Sequence, residues 1–233
     1  MSAPPPPKTE QDQKGALRLS TAAGLGLGGA ILGIVLPIVF VLLATYNPGG
    51  FFTLAPQLVE TTSILVLAGA ILLLLSFFLY RRSFAALRKV DPRFYAASVL
   101  CLIGSIGFLL ILVAAAFVVG NSSSLLSCVH GQPSHALSCL RSGEPLGAYT
   151  ALVGFWLGWI GGVGLVLGLF FAGSRFQRGA ISAGGALYAL LLILLVGPFV
   201  SLVTTVPGIE YVVVLVPVFS IAAPALVLSA RDV

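Results

Sequence analysis

Six long apolar runs, each near the length a helix needs to cross a bilayer, alternate with short polar segments along the 233-residue chain. They cover residues 21–45, 61–80, 94–119, 148–172, 179–206 and 211–230. A helix rises about 1.5 Å per residue and a bilayer core is about 30 Å thick, so about 20 apolar residues suffice. The pattern predicts an all-α membrane protein: a six-transmembrane-helix bundle forming one domain over residues 19–233. The first run is too long for a signal-peptide core of roughly 7–15 residues, and no small-x-small cleavage site follows it. It reads as an uncleaved span.

The polar segments carry their own expectations. Residues 1–18, with the Pro4–Pro7 run and no apolar cluster, read as a disordered Pro-rich tail ending at the anchor Arg18. Tyr46-Asn47-Pro48-Gly49-Gly50 has the chemistry of a turn, and Phe51 to Gln57 suits the membrane interface. Pro37, Pro198, Pro217 and Pro224 fall inside runs, where proline kinks or interrupts a helix.

Charge adds an orientation. The tail carries Lys8, Lys14 and Arg18, and the second loop Arg81, Arg82, Arg88, Lys89 and Arg93. The fourth loop carries Arg175 and Arg178, and the carboxyl end Arg231. The intervening loops hold only Arg141, so eleven of the twelve basic residues return to one side. The positive-inside rule makes that side cytoplasmic and places both termini there, N-in and C-in, in the cell membrane.

Composition excludes the main soluble alternatives. The chain is 58% hydrophobic and 8% charged, against about 25% charged in a soluble domain. A net charge of +5 would suit nucleic acid in a soluble protein, but here the basic residues sit at the ends of apolar runs, so no nucleic-acid partner is expected. Between their anchors the runs hold no Asp, Glu, Lys, Arg or His. Proton relays, voltage sensors and most coupled-transport sites need ionisable groups at mid-depth. The pattern therefore argues against proton-coupled transport, a His-ligated haem and a charged intramembrane catalytic pair. It leaves room for a passive pore or an apolar pocket. With no paired carboxylates and no Ser or Cys nucleophile near a base, no enzyme, resident metal or cofactor is expected.

Small residues suggest how the helices meet. Gly154, Gly158 and Gly162 recur at four-residue spacing, as do Gly24 with Gly28 and Gly29 with Gly33. Such faces let backbones approach closely, either within one bundle or between subunits. In the longest loop, Cys128 and Cys139 flank His130 and His135. The derived topology puts this loop on the oxidising side, so a Cys128–Cys139 disulfide is expected, worth about 2–3 kcal/mol on a chain-entropy basis. The rival is a metal site with two Cys and two His ligands, whose spacing fits no common zinc pattern. Cys101 lies in an apolar run and reads as a buried small hydrophobe. Asn121-Ser122-Ser123 is a glycosylation sequon beside a helix end. Phe84 and Leu87 among Arg81, Arg82, Arg88, Lys89 and Arg93 suit a segment lying on anionic headgroups, with Arg175 and Arg178 in the equivalent turn.

Some of these segments resemble a known family. Phe84-Ala-Ala-Leu87-Arg-Lys-Val-Asp91-Pro92-Arg93-Phe94, followed by Leu102-Ile-Gly104-Ser-Ile-Gly107, is similar to an archaeal multi-pass membrane family catalogued as domain of unknown function 973. So is Gly168-Leu-Phe-Phe-Ala-Gly173-Ser174-Arg175-Phe176 with Gly184-Gly185-Ala-Leu-Tyr188. The resemblance covers most of residues 15–230 and implies an archaeal plasma membrane. It carries over no active site.

Two functional classes then remain. A non-catalytic accessory or scaffold subunit fits the ion-free runs, the glycine faces and the short loops. Its partners would be membrane lipids, other membrane subunits or a second copy. A channel or transporter for a neutral or lipophilic solute fits the helix-interior prolines and hydroxyls such as Ser201, Thr204 and Thr205.

Overall fold

A computed structural model describes the backbone of residues 10–36, 48–120, 145–201 and 209–229. Among these residues the protein is all helical, with six helices and no strand. We label them α1 (Glu10–Ala30, continued by a π-helical stretch Ile31–Val35), α2 (Pro48–Leu87), α3 (Phe94–Gly120), α4 (Pro145–Phe176), α5 (Gly179–Ser201) and α6 (Ile209–Ser229).

Five stretches are long and apolar enough to cross a membrane: Asp12–Val35, Ile64–Leu87, Phe94–Ala114, Tyr149–Phe176 and Gly179–Val196. In α6 the described apolar stretch, Leu215–Ser229, is shorter. These helices are apolar on every side. Ile64, Ile71, Leu75, Ile106, Leu109, Val153, Trp156 and Ile193 are all exposed, although each shares a helix with buried residues. A water-soluble bundle turns such side chains inward; a helix apolar all round needs an apolar surrounding.

Each helix packs on its neighbours in sequence, and α6 returns to α1, so the six form a closed ring. Short connections join α2 to α3 and α4 to α5, and tight turns force such neighbours into antiparallel hairpins. Between α2 and α3 the Asp91 carboxylate accepts the Arg93 N–H at 3.0 Å, capping α3 from its own loop. Between α4 and α5, Gln177 adopts φ 53°. The Arg178 N–H donates to the Gly173 carbonyl at 3.0 Å and the Gln177 N–H to that of Ser174 at 3.4 Å. That pair of bonds is the Schellman closure of a helix end.

The core lies toward the end that carries Arg82, Arg88, Lys89 and Arg178, hereafter the basic end. It gathers Leu19, Ala22 and Ala23 of α1, Tyr80, Phe84 and Leu87 of α2, Phe94 and Cys101 of α3, Leu165 and Leu169 of α4, Ile181 of α5 and Val227 of α6. A column of rings runs through it. Tyr80 and Phe84 stack at 6.1 Å, Phe84 and Phe94 at 6.0 Å, and Phe94 meets Phe171 edge-on at 6.0 Å.

Three expectations are corrected here. Residues 10–18 are helical, the first turns of α1, and not part of a disordered tail; residues 1–9 lie outside the described residues. Pro48 opens α2 instead of extending the turn, and the helix runs on through Gly49, Gly50 and Phe51 to Gln57. A proline at a first helical position loses no hydrogen bond, because that N–H has no helical acceptor. Finally, Phe84 and Leu87 do not lie on a membrane surface. Residues 81–87 continue α2, and both side chains are fully buried. The helical period turns them inward while Arg82 faces out, covering the Phe78 ring at 4.5 Å.

Candidate functional site

Two hairpins are held by backbone-to-backbone contact. A Cβ built on Gly104 of α3 would stand 2.6 Å from the Gly161 Cα of α4, and one on Gly161 would run into the Gly104 backbone. A Cβ on Gly107 would collide with the Gly158 nitrogen and stand 2.6 Å from the Gly154 carbonyl oxygen. In the first hairpin a Cβ on Gly33 would lie 3.1 Å from the Gly69 Cα, and one on Gly69 would strike the Gly33 backbone. No side chain larger than hydrogen fits at Gly69, Gly104, Gly107 or Gly161 without a shift, which is how glycine lets apolar helices gain dispersion contacts in lipid.

The sequence-derived glycine face is therefore only partly the one used. Gly154 faces α3, but Gly158 offers its backbone there while its own Cβ position meets nothing nearer than Phe108 at 3.9 Å. Gly162 points at Leu192 of α5. At about 100° per residue, Gly154 and Gly161 lie about 20° apart on the helix, whereas Gly162 is about 80° away. The seven-residue spacing stays on one face better than two steps of four. In α1 the close approach belongs to Gly29 and Gly33. Gly24 and Gly28 make ordinary contacts, to Leu228 at 3.9 Å and Leu72 at 3.6 Å.

At the basic end the first turns of α1 are clasped to α2 and α4. Arg175 donates from Nη2 to Asp12 Oδ2 at 3.1 Å and from Nε to Oδ1 at 3.3 Å. The Asp12 side chain is 4% exposed and that of Arg175 20%. Ser83 Oγ donates to the Gly15 carbonyl at 2.7 Å, and a Cβ on Gly15 would stand 2.8 Å from Leu87 Cδ2. Each charge sits where the helix dipole favours it, the carboxylate in the first turn of α1 and the guanidinium in the last turn of α4. One turn of chain before Lys14, Glu10 pairs with that ammonium; the hydrogen bond from Lys14, then its charge, holds the carboxyl below its ordinary pKa.

At mid-depth the structure gathers hydroxyls. Ser76 Oγ donates to the Ala22 carbonyl at 2.7 Å. The Tyr80 hydroxyl is buried next to that of Tyr188, close enough for the two to interact but outside normal hydrogen-bond geometry with it or with any other described group. The Cys101 thiol, also near Tyr80, makes only a long contact of 3.9 Å to the Gly161 carbonyl.

Of the other sequence candidates, Arg88, Lys89 and Arg93 are exposed in the α2–α3 turn, and Arg81 is half-buried. Arg175 is drawn into the clasp, away from the headgroup role given to it. Cys128, Cys139, His130, His135, Asn121 and Pro37 lie outside the described residues. Among the described residues no three His, Cys, Asp or Glu side chains gather as a metal site would require. Sequence reasoning missed Asp12, Gly15, Ser76, Ser83, Tyr80 and Tyr188. The one available signal was that Asp12 and Arg175 fall on the same side of the charge alternation; nothing local pairs them.

These features define a multi-pass bundle of apolar helices, with the character of an integral membrane protein. Compared with models of known protein families, with curated proteins and with solved structures, the chain matches none.

Proposed function

We propose that the protein is a non-catalytic accessory or scaffold subunit of a membrane assembly, embedded in the cell membrane with both termini cytoplasmic. The observation that carries this reading is the paired glycine crossings, Gly104 on Gly161 and Gly33 on Gly69, which lock two hairpins backbone to backbone. Helices locked in this way suit a rigid framework better than a moving carrier, because sliding either crossing by one residue would drive a side chain into a backbone. Large apolar side chains on α3, α4 and α5, among them Leu109, Trp156 and Ile193, stand exposed for lipid or a neighbouring subunit.

Purification of the tagged chain in mild detergent, with mass measurement of the intact particle, tests this. A stable complex with another membrane protein or a defined homo-oligomer is the expected result. A monomer that retains no partner, at native expression levels and after crosslinking in cells, counts against it.

The mid-depth hydroxyls favour a second reading, a path for a neutral solute. Flux of small neutral solutes into liposomes containing the purified chain, above that of empty liposomes, would support it over the scaffold.

A further inference from the structure

The hydroxyl cluster has a chemistry that the scaffold reading does not use. Ser76 and Tyr188 fall near the middle of the spans Ile64–Leu87 and Gly179–Val196, so the cluster lies half-way through the bundle. Its α1 wall is Gly26. A Cβ there would stand 3.0 Å from Ser76 Oγ and 3.5 Å from the Tyr188 hydroxyl, so the two hydroxyls converge where α1 presents only hydrogen. The α6 wall is Pro224, 3.9 Å from the same point. Proline has no N–H, so the carbonyl of Ser220, a buried residue one turn earlier, receives no hydrogen bond from position 224.

Tyr80 supplies the remaining observation. It is fully buried, and its hydroxyl, next to that of Tyr188, lies outside normal hydrogen-bond geometry with every described group. A phenol offers one donor and accepts as well, and buried polar groups in folded proteins are nearly always satisfied by protein or by water. In an apolar bundle no bulk solvent reaches it. Among the described residues the groups in reach are all neutral: two phenols, a serine hydroxyl and a thiol. An ion finds no counter-charge there, whereas a small molecule able both to donate and to accept does. Buried waters typically bind two to four such groups.

We propose that Tyr80, Tyr188 and Ser76 form a mid-membrane binding site for one neutral hydrogen-bonding molecule, a water, beside Gly26 of α1. The bound water donates to one tyrosine and accepts from the other, tying α2 to α5 beside α1. The site does not depend on the scaffold reading and survives its failure.

Radiolytic hydroxyl labelling of the full chain in detergent tests the site, because a bound water activated in place modifies the side chains touching it. Corrected for intrinsic reactivity, Tyr80 is expected to label several-fold faster than Phe84 and Phe94, which are equally buried. Labelling of Tyr80 at their rate overturns the proposal. Tyr80→Phe is expected to lower the thermal midpoint, and Tyr80→Phe with Tyr188→Phe to lower it by less than the sum of the single losses, since both share one ligand. A Tyr80→Phe midpoint at or above that of the wild type overturns the proposal, because removing an unpartnered buried hydroxyl relieves a penalty. If that variant does not fold, labelling of the wild-type chain decides alone.

Discussion

Asp12 and Arg175, 163 residues apart in sequence, meet as a two-point ion pair at the basic end of the bundle. The pair joins the first turns of α1 to the last turn of α4 across the ring. Its carboxylate is nearly shielded from water, so losing the guanidinium removes a charge partner from a buried charge.

Replacing Asp12 with Ala is therefore expected to destabilise the protein by about 2 kcal/mol, the scale of hydrogen bonds to charged groups. Arg175→Ala should cost a similar amount, and the double variant no more than either alone. Thermal unfolding in detergent, arranged as a double-mutant cycle, checks this. Additive losses would mean the two side chains act independently.

The neighbouring Glu10–Lys14 pair should behave differently, because both side chains are open to solvent. Lys14→Ala is expected to leave the unfolding midpoint unchanged. The Glu10 carboxyl titrates below its ordinary value in the folded chain, so its pairing is present above the unfolded pKa and lost as pH falls through the lower folded one. Amide exchange in the first turn of α1 should rise only in that acidic window.

Glycine substitutions should separate by geometry and not by spacing. Gly107→Ala and Gly161→Ala put a methyl group into a facing backbone, and losses at the upper end of about 1–3 kcal/mol or beyond are expected. Gly158→Ala and Gly24→Ala meet nothing closer than 3.9 Å and should change stability by less than about 1 kcal/mol, with helix propensity acting in their favour. Unfolding midpoints of the four variants, measured side by side, check the ranking.

Gln177 holds a left-handed conformation that glycine adopts without steric cost. Gln177→Gly is expected to stabilise the α4–α5 turn by about 0.5–1 kcal/mol, somewhat less than the full left-handed penalty, because glycine also loosens the unfolded chain. A lowered midpoint would show that the Gln177 side chain contributes more than its backbone strain costs.

Thiol labelling of intact cells reads topology and the outer loop together. Cys101 is buried and should label only after unfolding. Cys128 and Cys139 are expected to stay unlabelled until a reductant is added, then to label from outside. A cysteine replacing Lys89 should resist an impermeant reagent. Labelling of Lys89→Cys from outside would invert the orientation, and free Cys128 and Cys139 without reductant would refute the disulfide.

Much of the architecture was legible because it depends on local composition. Apolar runs long enough to span a bilayer satisfy their own backbone only as helices. The runs at 94–119 and 148–172 accordingly match α3 and α4 within a few residues. The ends were less legible. The polar stretch from Glu10 was read as tail because it lacks an apolar face, yet it is helical and clasped, through Asp12, Gly15 and Ser83, to residues that lie far away in sequence. Phe84 and Leu87 were assigned to the surface because of their basic neighbours, and only the continuation of α2 turned them inward.

The sequence alone thus determined the apolar character of the spans, with charge confined to their ends, and the helical class of the described residues, since both follow from solvation of side chains and backbone. The tertiary structure decided which glycines touch, which acid meets Arg175, and that Tyr80, Tyr188 and Ser76 converge at mid-depth. Those outcomes depend on the rotation of each helix about its axis. In a helix apolar on every side, no hydrophobic stripe sets that rotation, so packing against the neighbouring helices must.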